Sequence, residues 1–169
     1  MNKLNYLSFL VIILTLSLNG LNCAFAEEKQ KLEYFDQTDP EFIPKRAHYL
    51  MLEKKADTRY EESFQSNWMT DLYKIECFFR DTVEIYERAE NFAKELHMYK
   101  DAVRIQEKQA MIWAEKLERR PVGINRLLNA YKLCIDIGDT TKAKEIREKL
   151  HTLVEKEIEE QCKKKDHPA

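Results

Sequence analysis

From Trp68 to Leu96 the apolar positions step by four and three without a slip: Trp68, Leu72, Ile75, Phe79, Thr82, Tyr86, Ala89, Ala93 and Leu96. Phe78, Ile85 and Phe92 add a second row at intervals of seven. The two rows widen a narrow coiled-coil seam into a broad globular face. The pattern predicts a helix of about thirty residues, long for a small domain and in need of partners along its whole length.

Four further helices follow from the same periodicity. Tyr49, Leu52, Ala56, Tyr60 and Phe64 form one stripe of a first helix from about Pro44 to Gln65, with Pro44 in its first turn. A third helix spans about Tyr99 to Arg119, with Ala102, Gln106, Ala110, Trp113 and Leu117 inward, and Pro121 ends it. A fourth runs from about Ile124 to Ile137 on Leu127, Leu128, Tyr131 and Ile135. Gly138 then supplies a left-handed residue, and Asp139 or Thr140 caps a fifth helix through Ala143, Ile146, Leu150, Leu153 and Ile158 to about Gln161. No segment alternates with the period of a strand. The predicted fold is all-α: about five helices, paired as hairpins and packed as a small repeat-like array or bundle.

The first 26 residues stand apart from this pattern. Lys3 precedes an apolar run from Tyr6 to Leu18, a polar break at Asn19-Gly20, and Ala24-Phe25-Ala26 ahead of Glu27-Glu28. These are the parts of a secretory signal peptide, and they predict export to the periplasm or beyond the cell. Cys23 raises a lipid anchor as an alternative, although Gly20-Leu21-Asn22 is a poor lipobox. Removing 26 of 169 residues leaves 143, one domain's worth, and loss of Lys3 takes the formal charge from −2 to −3. The organisation expected is a leader over 1–26, an extended arm over 27–43, a helical domain over 44–162 and a solvated tail over 163–169. There is no basic excess to suggest nucleic acid. With 3 glycines, 4 prolines and a third of the residues charged, the composition suits long exposed helices.

The junctions at His97-Met98 and Gly138-Asp139 close two helical hairpins. In the second, "GDTTKA" is preceded by Tyr131 and carries Ala143. In the first, Tyr86, Ala89 and Ala102 take similar places. Over residues 83–154 this resembles the tetratricopeptide repeat, in which a small residue on the second helix lets a hairpin pack closely. The spacing from Ala102 to Ala143 is 41 residues, against about 34 in that family. Seven extra residues are two helical turns, which keep the inward face in phase. His97 stands where the turn glycine belongs. The resemblance implies a protein-binding groove on the first helix of each pair: Glu84, Glu87, Asn91 and Lys94 in one unit, Asn125, Lys132 and Asp136 in the next. Each of these reads more readily as ordinary solvated surface.

Chemistry-bearing patterns are scarce. The histidines (His48, His97, His151, His167) are scattered, and the single Glu148-x-x-His151 lacks the second copy that a di-iron bundle needs. No glycine-rich loop precedes a helix, and no nucleophile motif is present. Beyond the leader, Cys77, Cys134 and Cys162 form no C-x-x-C, and Cys77 and Cys134 read as small apolar residues near helix cores. No catalytic residue, metal or cofactor is expected. The expected role is an exported scaffold or adaptor for another protein in a bacterial envelope assembly. Two alternatives stand beside it: an exported hydrolase using surface carboxylates, and a secreted effector that meets a host protein.

Overall fold

A computed structural model describes residues 40–65 and 72–166, and all elements among them are helical. They are α1 (Phe42–Gln65), α2 (Leu72–Glu95), α3 (Tyr99–Met111), α4 (Arg120–Asp136) and α5 (Thr140–Asp166). One turn of wider π helix, Ile112–Lys116, extends α3. The leader, its cleavage site, Cys23, Trp68 and His167 lie outside the described residues. No helix among those described is long and apolar enough to cross a membrane.

Each helix packs on its neighbours in the chain: α1 on α2, α2 on α3, α3 on α4, α4 on α5. Ion pairs then join every second helix. Glu53 of α1 binds Arg104 and Lys108 of α3, Glu87 and Glu90 of α2 bind Arg126 of α4, and Glu107 of α3 binds Lys142 and Lys149 of α5. A zigzag results, with α1, α3 and α5 in one layer and α2 and α4 in the other. The core cluster lies along α1, α2 and α3, around Tyr49, Ala56, Val83, Tyr86, Ala89, Ala102 and Ile105.

The 41-residue spacing is visible in burial. Tyr86 and Leu127, Ala89 and Ala130, and Ala93 and Cys134 are buried on α2 and α4. Ala102 and Ala143, Ile105 and Ile146, Gln109 and Leu150, and Ile112 and Leu153 are buried on the helices that follow. The turns between them close alike. Met98 N–H donates to the Ala93 carbonyl at 2.8 Å and His97 N–H to Lys94 at 3.0 Å. Asp139 donates to Cys134 at 2.9 Å and Gly138 to Ile135 at 3.0 Å. Both are Schellman closures with a left-handed residue, His97 at φ 55° and Gly138 at φ 73°.

Several boundaries differ from the periodic reading. The first helix starts at Phe42, so Pro44 is its third residue, where the backbone still needs no intrahelical donor. Pro121 does not merely end α3; it opens α4, which takes in Val122 and Gly123. Helix α3 becomes a π turn at Ile112, where Leu117 N–H reaches back to the Ile112 carbonyl at 3.0 Å, and Glu118 turns left-handed at φ 51°. The last helix runs on to Asp166, into the stretch expected as solvated tail.

Candidate binding cleft

A cleft of about 470 Å³ opens on the α1–α3–α5 layer. Its floor is the outward face of α3, where Arg104, Glu107, Lys108, Met111 and Ile112 recur at helical spacing. Asp57, Tyr60 and Glu61 of α1 form one wall, Lys149 of α5 stands on the other, and Tyr86 of α2 reaches through from below.

Alternating charge holds the walls in place. The acids Glu53 and Asp57 are four apart on α1, the bases Arg104 and Lys108 four apart on α3, and the two ladders pair in register at a constant offset of 51 residues. A constant offset means the two helices run parallel. Arg104 Nη2 donates to Glu53 Oε2 at 3.0 Å, to Asp101 Oδ1 at 2.7 Å and to the Tyr49 hydroxyl at 3.1 Å. Lys108 Nζ donates to Asp57 Oδ1 at 2.6 Å and to Glu53 Oε1 at 3.2 Å. The Tyr86 hydroxyl donates to Asp57 as well. Across the cleft, Lys149 and Lys142 grip the two oxygens of Glu107 at 2.8 and 2.9 Å.

Three carboxylates in the array are nearly inaccessible: Glu53, Glu90 and Glu107 are 5, 3 and 7 % exposed. A buried charge is tolerated only when partners satisfy it. Glu90 is met by Lys94 at 2.5 Å, Gln106 at 2.7 Å, Gln109 at 3.0 Å and Arg126 at 3.6 Å. Each of the three thus ties its own helix to the next but one.

The same network sets proton affinities. Burial, then the hydrogen bond to Asp57, pushes the Tyr86 phenol up and keeps it protonated. Tyr49 is raised by burial and by Glu53. Burial opposes the charge on Arg104, but hydrogen bonds to Asp101 and Glu53 more than offset it, and its affinity for the proton rises. Lys142 follows the same logic: burial is outweighed by Glu107 and Glu145. The cleft therefore offers fixed, paired charges beside apolar surface from Tyr60 and Met111, a lining suited to recognising a polar backbone and a few side chains.

The residues expected to line a groove lie elsewhere. Glu84, Asn91, Asn125, Lys132 and Asp136 are exposed on α2 and α4. Glu87 is engaged by Arg126, so one of the seven joins α2 to α4, while Lys94 pairs with Glu90 within α2. None of them lines the cleft. The cleft residues were missed because charged positions on α1 and α3 look like solvated faces. The signal that finds them is the pair of matched i,i+4 ladders, acidic on α1 and basic on α3.

Among the described residues no three His, Cys, Asp or Glu side chains gather as a metal site would require. His48 packs edge-on against Phe92, His97 bonds the Tyr99 hydroxyl at 3.0 Å, and His151 pairs with Glu155 at 3.1 Å rather than with Glu148. Cys134 is buried, Cys77 half-buried and Cys162 exposed, each with a free thiol. No protein-family model, curated protein or solved structure matches this chain.

Proposed function

We propose that this protein is an exported helical scaffold or adaptor in a bacterial envelope, and that the cleft over α3 holds an extended segment of its protein partner. The observation that carries the reading is the cleft itself, floored by α3 and walled by α1 and α5 through salt bridges that fix its shape. Preorganised walls reduce the ordering cost of binding. Support for a tetratricopeptide-like array comes from the burial recurring at 41 residues and from the matching Schellman turns. Such arrays leave surfaces for extended segments or neighbouring helices.

Placing a photo-crosslinking residue at Tyr60 and, separately, at Asn91 tests the assignment in the producing cell. A discrete protein adduct at Tyr60 that Lys108→Glu abolishes supports the cleft. An adduct at Asn91 alone moves the partner to the α2–α4 surface, and adducts at neither position overturn the adaptor reading. Turnover of a peptide and glycan panel by the purified chain, lost on Glu61→Gln, would support the hydrolase reading instead.

A further inference from the structure

The two ends of the helical array are unlike. On α5 the positions 41 residues on from Val103, Gln106, Glu107 and Ala110, which α3 buries, are Lys144, Arg147, Glu148 and His151, all exposed. That face is polar, as suits the outer side of a terminal helix. On α1 the face turned away from the core carries Ile43, Leu50 and Met51, which are 72, 47 and 55 % exposed, with exposed Ala47 between them. These sit at i, i+4, i+7 and i+8, one stripe over little more than two turns, about 12 Å long at 1.5 Å per residue. Arg46, Lys54 and Lys55 flank or interrupt the stripe; all are exposed, and none forms an ion pair among the described residues.

We propose that this face docks an amphipathic helix of another protein whose apolar anchors are flanked by carboxylates. The spacing of the exposed apolar residues matches the anchors by which helices recognise one another in grooves. These three cations, unpaired among the described residues, select acidic flanks, since charge complementarity sets partner choice. An anionic bilayer fits less well, because the same side of α1 continues into exposed Glu61 and Glu62, which it would repel. A second copy of this chain fits less well too. Self-pairing would bring the cations of both copies into one seam, where like charges repel. The face lies on the side of α1 away from the core, so the inference does not rest on the cleft.

The test uses the purified chain and two designed sixteen-residue helical peptides with leucines at i, i+4, i+7 and i+8, one flanked by glutamates and its twin by lysines. The glutamate peptide is expected to bind at least about tenfold more tightly than the twin, a difference of about 1.4 kcal/mol. Leu50→Asp with Met51→Asp abolishes binding without moving the melting temperature, because both side chains are exposed. Arg46→Glu, Lys54→Glu and Lys55→Glu together reverse the preference in favour of the lysine peptide. Lys108→Glu, in the cleft, leaves peptide binding unchanged, so failure here and failure of the cleft reading are told apart. Equal affinity for the two peptides or none for either overturns the proposal. So does sedimentation with phosphatidylglycerol vesicles, or a dimer, that Leu50→Asp with Met51→Asp abolishes.

Discussion

Gly123 of α4 lies so close to Ala110 of α3 that a β-carbon on the glycine would stand 2.6 Å from the Ala110 carbonyl oxygen. It would also meet the Ala114 β-carbon at 2.9 Å. The obstacle is backbone, so the helices would have to part. Gly123→Ala gains about 1 kcal/mol of helix propensity, but overpacking costs about 1 to 3 kcal/mol or more. A net loss of stability is expected, read as a lower urea midpoint with an unchanged slope. A midpoint equal to or above that of the parent would show that α3 and α4 are not in this contact.

The left-handed turn at His97 suggests a stabilising change. Its counterpart 41 residues later is Gly138, where the same backbone shape carries no β-carbon penalty. His97→Gly and His97→Ala both lose the contact with Tyr99, so their difference isolates the backbone. The glycine variant is expected to be the more stable by about 1 kcal/mol, measured by chemical denaturation. Equal stability would mean the turn relaxes to another conformation.

Ala143 is 3 % exposed at the start of α5. Ala143→Trp should open the C-terminal hairpin and lower the melting temperature markedly, since an indole has no room there. Lys142 is no neutral control, because it bridges Glu107 and Glu145. Lys144, exposed and one position further on, is the better site, and Lys144→Trp should melt like the parent.

Removing Glu90 tests the buried polar ties. Glu90→Ala strands the side-chain amides of Gln106 and Gln109, whose carbonyl oxygens already have no partner. Loss of one member of such a buried network costs about 3 kcal/mol. Truncating an exposed carboxylate such as Glu84 should cost under about 0.5 kcal/mol. Similar losses for the two variants would show that Glu90 is solvated.

Cys134 predicts an alkaline transition. Burial first, then Asp139, raises its thiol from the usual 9.0 to about 11. The folded state therefore keeps a proton that the unfolded chain gives up between these values. The stability from this group is full below pH about 9 and is lost as pH rises to about 11. The stability difference between the parent and Cys134→Ala should shift against the parent across that window. A difference flat with pH would place the thiol in water. Thiol-reactive reagents at neutral pH should label exposed Cys162 quickly and Cys134 slowly.

Local periodicity was enough to reveal the helices, because a helix needs only one face to be apolar. Tyr49, Leu52 and Ala56 on α1, and Ala143, Ile146, Leu150 and Leu153 on α5, read from the pattern as inward, are buried. These helices lie at the ends of the array and hide one side. The Gly138-Asp139 turn was legible for a similar reason: a left-handed glycine and a capping aspartate act within a few residues, and Asp139 Oδ1 accepts the Lys142 N–H at 3.0 Å. Interior α3 was read only in part: Ala102, Gln106 and Ala110 are buried as expected, but neighbours on two sides also bury Val103, Ile105, Glu107 and Gln109 beyond that single stripe. Which carboxylates were surface and which were ties could not be read at all. Glu84 and Glu90 look alike in the chain, yet only α3 and α4 together surround Glu90 with Gln106, Gln109 and Arg126. The cleft has the same origin: Asp57 and Lys108 are 51 residues apart, and only the packing of α1 beside α3 makes them neighbours. A sequence pattern records which face each helix must hide, and tertiary packing decides which distant charges must then share that face.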